Sequence, residues 1–317
     1  MAASIDVVVP AYNRWDLTSS CLAHLAVQTV PHRVIVVDNG STDETRQALR
    51  RVQSNVSVVE LDRNHPFTHA VNVGVAAGNG EYVVLLNNDV ELRPDCLERL
   101  TAPLDRHLSV GSVAAVLLAP GEHRIDSVGV STDVTLAGFP RLQGLGPERV
   151  RDRSPVVTGP EGTAAAYRRT AWQQVGGLDE SIRAYMEILD VAWRLRAAGW
   201  ETACAPEAVG VHLGSATFGH RSAEQRRMAG FSRGYLLRRY GVLRSRFAPR
   251  TLLTEAIVVV GDLVLCHDLA ALQGRLAGWR SARGKERRPR PPDAAIDRSI
   301  SLRESMALRR GAYRRPA

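Results

Sequence analysis

Lysine is nearly missing from this 317-residue chain: Lys285 is the single example among 41 basic residues. Arginine is therefore the default cation, and a basic surface reports residue usage as much as partners. Cysteine is scarce as well. Cys21, Cys96, Cys204 and Cys266 lie far apart, with no C-x-x-C pair and no His/Cys cluster at zinc spacing, so neither a disulfide framework nor a structural metal is indicated. No apolar run reaches the roughly 18 uncharged residues of a membrane span; the most apolar late stretch, 252–266, is broken by Glu255 and Asp262. The first residues carry neither the basic start nor the small-residue cleavage site of a signal peptide, so a cytoplasmic protein is expected. G-x-x-x-x-G-K-S/T and G-x-G-x-x-G are both lacking, which leaves a P-loop and a dinucleotide fold unsupported.

What is present is ample apolar material, 44% of residues, enough for one large domain or two ordinary ones. The net charge of +8 is unevenly spread. From Arg283 onward eleven Arg/Lys face four Asp/Glu, and residues 220–250 hold nine Arg against one Glu, so the remainder is net acidic. Short β-branched runs (5–9, 33–37, 56–61, 82–86) alternate with helical patterns (17–28, 42–52, 68–77, 94–107). The strands are apolar throughout and do not alternate, which predicts an α/β fold with a mostly parallel sheet covered by helices on both faces. Ser41-Thr42-Asp43-Glu44 has the spacing of a capping box and predicts a helix start there.

From 111 to about 155 the pattern weakens into short strands and turns, a variable region by its appearance, and an ordered block follows from 156 to 219. Residues 1–219 are expected to form the main domain, 220–284 a basic helical extension, and 285–317, with Pro289, Pro291 and Pro292 amid dense charge, a disordered basic tail. The apolar 252–266 stretch between basic helices either packs on the main domain or lies on a membrane surface. Nucleic acid is disfavoured, because the basic segments lack interleaved aromatics and a recognisable module.

Polar residues gather where a parallel sheet exposes its carboxyl edge, the place where ligands bind such sheets. The first strand ends in Pro10-Ala11-Tyr12-Asn13-Arg14, the second in Asp38-Asn39-Gly40, the third in Asp62-Arg63-Asn64 and the fourth in Asn87-Asn88-Asp89. One such end is commonly a turn, with Asn and Asp capping their own backbone. Four on one edge predict a cleft. A lone aspartate among amides suits Mg²⁺ or Mn²⁺, which takes one carboxylate, keeps waters and bridges phosphate oxygens.

Val7-Val8-Val9-Pro10-Ala11-Tyr12-Asn13-Arg14, Val36-Val37-Asp38-Asn39-Gly40-Ser41-Thr42-Asp43, Asn72-Val73-Gly74 and Leu85-Leu86-Asn87-Asn88-Asp89-Val90 together resemble the N-terminal half of family 2 glycosyltransferases with a GT-A fold. Gly176-Gly177-Leu178-Asp179-Glu180, then Glu187, Asp190, Arg194, Gly199-Trp200 and Val211-His212, are similar to the second half. The C-terminal helices resemble those of rhamnosyltransferase-like members that build cell-surface polysaccharides on polyprenyl lipids. The resemblance implies that Asp38 reads the nucleobase, that Pro10, Ala11, Tyr12, Arg14, Asn64 and Asn72 line the nucleotide-sugar pocket, and that Asn88 sits near ribose and diphosphate. It implies that Asp89 ligates the metal; His212 matches a position that in some members also reaches it, although a histidine ending an apolar strand is as readily a hydrogen-bonded core residue. The implied reaction is metal-dependent, inverting transfer from a UDP- or dTDP-sugar donor to a hydroxyl of a lipid-linked glycan or small metabolite, with peripheral contact at the inner face of the plasma membrane through the basic helices.

The match breaks at two places. Members of the family usually carry their base as the aspartate of a Glu-Asp pair, but here Ile188 follows Glu187, and an isoleucine accepts no proton. Either Glu187 or Asp190 serves as base, with Arg194 at i+4 able to hold Asp190 as a structural ion pair, or the acceptor is already ionised, or the chain is a sugar-nucleotide-binding or assembly partner without transfer activity. The second departure is Asn64-His65-Pro66-Phe67-Thr68, where proline replaces a glycine and stiffens the loop.

Overall fold

The computed structural model describes residues 4–52, 56–182, 184–214 and 222–311. Its first part is built from β1 (Ile5–Ala11), α1 (Trp15–Ala26), β2 (Arg33–Asp38), α2 (Thr45–Leu49), β3 (Val56–Glu60), α3 (Phe67–Ala76) and β4 (Tyr82–Leu86). The four strands pair in parallel in the order β3-β2-β1-β4. Successive side chains leave opposite faces of a strand. Val7 and Val9 accordingly pack with Cys21 and Leu25 of α1, while Val8 packs with Ala70, Val71 and Val75 of α3. Both faces of β1, β2 and β4 are buried, which is why these runs read as nearly continuous hydrophobicity, whereas the edge strand β3 is only partly buried.

The chain continues through β5 (Val90–Leu92), α4 (Cys96–Arg106), β6 (Val110–Leu118), β7 (Ile125–Ser127), the hairpin pair β8 (Val130–Thr132) and β9 (Gly138–Pro140), β10 (Ala164–Arg168), α5 (Arg169–Gln174), α6 (Glu187–Ala197) and β11 (Glu201–His212). The main sheet carries on from β4 as β10-β6-β11-β5, with β7 added beside β6. β10 runs antiparallel to both β4 and β6, β11 is parallel to β6, and β5 is antiparallel to β11. Ala164, Ala165 and Ala166 are buried in this central strand. The chain winds from β1 outward to β3 and then returns to place β4 on the other side of β1. Strand order reverses there, and the crevice outside the carboxyl ends of β1 and β4 is where such sheets take ligands.

The expected capping box does not form. Ser41 Oγ accepts instead from Asn13 N at 2.9 Å, Thr45 N donates to Asp43 Oδ1 at 2.9 Å, and α2 begins only at Thr45. The neighbouring loop has taken the serine that the helix would have used.

Four further helices follow: α7 (Ala223–Arg239), α8 (Ala248–Cys266), α9 (Ala270–Ser281) and α10 (Leu302–Gly311). Glycines let α7 and α9 touch along their backbones: a Cβ at Gly234 would lie 2.0 Å from Arg275 O, and one at Gly278 1.9 Å from Phe231 O. The boundary expected at 219/220 lies outside the described residues, as do 312–317.

The described part of the tail corrects the expectation of disorder from residue 285. Ala295 and Ile300 are fully buried, Asp297 N donates to Thr132 O at 2.8 Å, and Ser305 Oγ donates to Asp133 Oδ2 at 2.8 Å. Arg288 reaches Asp190 and, at 2.7 Å, Asp179 Oδ2. Charge density misled the composition reading, because arginines whose acidic partners lie far back in the chain are held by them. Burial alone would raise the Asp179 carboxyl, but Tyr235, Ser181 and Arg288 outweigh it and hold the pKa at about 2. The stability this gives is present above the ordinary value of 3.8 and is lost as pH falls through about 2. Arg288→Ala is expected to lower unfolding stability by about 3 kcal/mol, the low end for breaking a buried pair because Asp190 keeps Arg194 and Tyr240; a urea unfolding curve measures it.

Candidate active site

Two successive left-handed residues, Asn13 (φ 55°) and Arg14 (φ 61°), turn the chain from β1 into α1. Asn13 Oδ1 accepts from Thr42 N at 2.8 Å and Arg14 N donates to Asp43 Oδ2 at 2.8 Å, which ties this loop to the one after β2. Asn39 N donates to Ala11 O at 2.8 Å, and the Asn39 side chain donates to Asn64 Oδ1 at 3.0 Å and to His65 O at 2.8 Å. Three strand ends are thus fastened into one rim, with Pro66 ending the third loop at the start of α3. Gly40 sits at φ 76°, and a Cβ there would lie 2.2 Å from the Arg63 carbonyl carbon. Gly40→Val is therefore expected to cost about 2 kcal/mol or more in stability, read as a drop in Tm.

Of the residues expected at the nucleotide, Ala11 is buried, Pro10 and Tyr12 are half-buried, and Arg14 is exposed beside Asp16 at 2.7 Å. Asp38 is fully buried: Oδ1 accepts from Ser41 N at 2.9 Å and Oδ2 from Arg46 Nε at 2.6 Å. Each oxygen keeps a second lone pair beyond these bonds. Asn88 donates to Thr18 Oγ1 at 2.9 Å. Asn72 is engaged elsewhere, donating to Leu178 O and Glu180 Oε1 and accepting from Leu178 N, each at 3.0 Å. It clamps the loop ahead of α6 and is not available to line the pocket.

Asp89 follows β4 after Asn87 and Asn88, immediately ahead of β5, and is 5% exposed. The next strand, β5, pairs with the far end of β11 so that Val90 lies opposite His212, and Leu213 N donates to Asp89 O at 2.9 Å. This pairing brings together two residues distant in sequence. His212 Nε2 lies 3.3 Å from Asp89 Oδ2 and Nδ1 2.7 Å from Asp126 Oδ2. Burial opposes charge on the ring, but the two carboxylates outweigh it and push the pKa up to about 10. Asp126, on β7, is a member of this cluster that the sequence reading missed. It is one of several scattered acids in the segment read as variable, and only the β6–β7 pairing delivers it.

Glu187 opens α6 after two consecutive left-handed residues, Tyr185 (φ 63°) and Met186 (φ 65°). Non-glycine residues hold such backbone at a cost on the order of 1–3 kcal/mol each, and strain of this kind gathers at functional sites. Glu187 Oε2 is sealed from solvent and meets no hydrogen-bond partner among the described residues, and burial pushes the carboxyl up to about 7. Its neighbour Ile188 fills the space at Gly162, where a Cβ would lie 2.5 Å from Ile188 Cγ1. Thr163 O in turn accepts from Asn87 N at 2.9 Å. Through these contacts the first turn of α6 abuts the loop fastened to the end of β4. Asp190 is different: it is fully buried, with Arg194 Nε at 2.9 Å, Tyr240 Oη at 2.9 Å and Arg288 on its oxygens. The structural ion pair at i+4 is present, and Asp190 has no face left for an acceptor.

The family model for Glycosyl transferase family 2 matches residues 6–176. The chain belongs to that family. This glycosyltransferase is 28% identical over 237 residues to the N-acetylglucosaminyl-diphospho-decaprenol L-rhamnosyltransferase of Mycobacterium tuberculosis, a match covering 67% of this chain and 76% of that protein. It is 31% identical over 229 residues to the O-antigen biosynthesis protein RfbC of Myxococcus xanthus, covering 67% of this chain but 17% of that much longer one. Among solved structures, the mannosyltransferase PcManGT from Pyrobaculum calidifontis in complex with GDP-Man and Mn²⁺ aligns with a TM-score of 0.53 at 20% identity, over 98% of this chain and 79% of that one. GalNAc-T7 with UDP, GalNAc and Mn²⁺ aligns with a TM-score of 0.59 at 12% identity, over 98% and 58% respectively. At such identities the structural likeness carries the fold alone, and that fold is GT-A.

Among the described residues no three His, Cys, Asp or Glu side chains are preset as a metal cage. The donor types nevertheless fit Mg²⁺ or Mn²⁺. Asp89 offers a hard carboxylate beside the crevice, His212 offers an imidazole once a cation displaces the proton that the two carboxylates hold on it, and hard cations in nucleotide sites draw the rest of their shell from phosphate and water.

Proposed function

We propose that this glycosyltransferase moves a sugar, with inversion, from a UDP- or dTDP-sugar to a hydroxyl of a lipid-linked glycan or small metabolite. The observation that carries the reading is the division between two carboxylates one helical turn apart: Asp190 is saturated by Arg194, Arg288 and Tyr240, whereas Glu187 keeps Oε2 unengaged among the described residues and a pKa of about 7. A base works best with its pKa near the operating pH. Glu187 takes the proton as the acceptor oxygen bonds to the anomeric carbon and the bond to the diphosphate oxygen breaks on the opposite face. Asp89, with His212, would hold a divalent cation, and that ion would supply positive charge for the departing diphosphate. Arg14, whose guanidinium feels the Asp89 charge, stands at the same rim, and Asp38 holds the nucleobase. The lipid-linked acceptor is supported by the mycobacterial relative, whose name describes transfer onto a diphospho-decaprenol carrier.

Slow release of nucleoside diphosphate from UDP- and dTDP-sugars tests the reading without knowledge of the acceptor. Turnover is expected with Mg²⁺ or Mn²⁺, to stop on chelation and to return when the ion is restored. Donor binding with no metal-dependent turnover would instead favour a sugar-nucleotide-binding or assembly partner.

A further inference from the structure

Helix α8 is inside out. Its polar residues Thr251, Thr254 and Glu255 are buried, and Glu255 is held there by Arg233 at 2.7 Å and Arg275 at 2.8 Å. The opposite face carries Leu252, Leu253, Ile257, Val260, Leu263 and Val264, all exposed, the last at 62%. These residues recur at i, i+3/i+4 and i+7, so they form one stripe along several turns. Leu269 and Leu276, also exposed, extend apolar surface into α9. A contiguous aliphatic stripe of this length is uncommon on a surface that faces water alone.

We propose that the outer face of α8 docks in the interfacial layer of an anionic membrane. Three observations select this occupant. The chain entering α8 exposes Arg244 and Arg246, and the chain leaving α9 exposes Arg280, Arg283, Lys285 and Arg287, with Glu286 as the exposed acid among them, which complements acidic headgroups. The stripe holds only Leu, Ile, Val and Ala, without the Trp, Tyr or Arg anchors that carry protein–protein contacts. Lipid chains require no such anchors. Finally, no helix among the described residues is long and apolar enough to cross a membrane, and the inward Glu255, tied to the main body, keeps α8 lying along the surface. The contact is therefore made by an aliphatic face, the apolar 252–266 stretch that the sequence offered as a surface helix, with basic residues on the segments that enter α8 and leave α9.

Flotation of the full chain with vesicles provides the test. Binding to vesicles containing phosphatidylglycerol is expected to exceed binding to pure phosphatidylcholine, to weaken as salt rises, and to fall at least about tenfold in Leu253→Asp/Val264→Asp. That variant should retain the far-ultraviolet circular dichroism and metal-dependent donor hydrolysis of the parent, because neither residue belongs to the crevice. Failure of the parent to float, equal flotation of the variant, or conversion of a parent dimer to monomer by the variant would overturn the proposal, the last by assigning the stripe to a second copy. Vesicle binding needs neither donor nor acceptor, so flotation without turnover would leave docking intact while removing the transfer reading.

Discussion

Asp89→Ala is expected to lower transfer and donor hydrolysis by about 10³-fold, a barrier increase of about 4 kcal/mol, in the range of several kcal/mol that a cation supplies to a leaving oxyanion. The carboxylate is nearly buried and its partner His212 is held in place from the other side by Asp126. Deleting Asp89 therefore removes the proposed ligand without releasing the ring, and Tm should shift much less than activity. Raising Mn²⁺ would not restore the rate. Loss of less than tenfold, measured as kcat/KM with added metal, would take the cation away from this position.

Glu187→Gln should lower kcat by about 10²–10⁴-fold, the usual contribution of a positioned base. The parent rate should climb as pH rises through about 7 and then level off, while the variant should lack that limb. Stability moves the opposite way. A carboxyl whose folded pKa exceeds its unfolded value of 4.5 favours the folded state when protonated, and that advantage fades as pH rises from 4.5 through about 7. Glu187→Gln should then match the parent at pH 4 and be more stable at pH 8, by up to about 3 kcal/mol and less wherever water reaches the carboxyl. A variant less stable at pH 8 would mean that the carboxylate is held by partners and is not poised as a base.

The parallel half of the fold was open to reading because β1, β2 and β4 are buried on both faces and the edge strand β3 is rich in valine. β4 was expected at 82–86 and is found there, and β1 to β3 differ by a residue or two at their ends. The helix after β2 was overextended because Ser41 looks like a cap in sequence but serves Asn13 in space. Asp89 and His212 were nameable one by one, whereas their meeting depends on a three-residue strand, β5, pairing with β11. Asp126 left no local trace, since one aspartate in an irregular segment resembles a turn residue until β7 pairs. The tail was misread for a related reason: the partners of Arg288 lie near residues 179 and 190, beyond any local window. The choice between Glu187 and Asp190 likewise rested on tertiary neighbours.

β10 has a mechanical role beyond filling the sheet. It joins the strands that shape the rim to the β6–β11 pair that carries His212 toward Asp89, through backbone ladders on both of its sides, and its small residues Ala164–Ala166 let the layers above and below pack close to the sheet. The backbone ladders set the two sides of the crevice to one fixed gauge, and a bulkier residue at Ala165 would press on α3 and α6, which pack over that face, and not spread the strands.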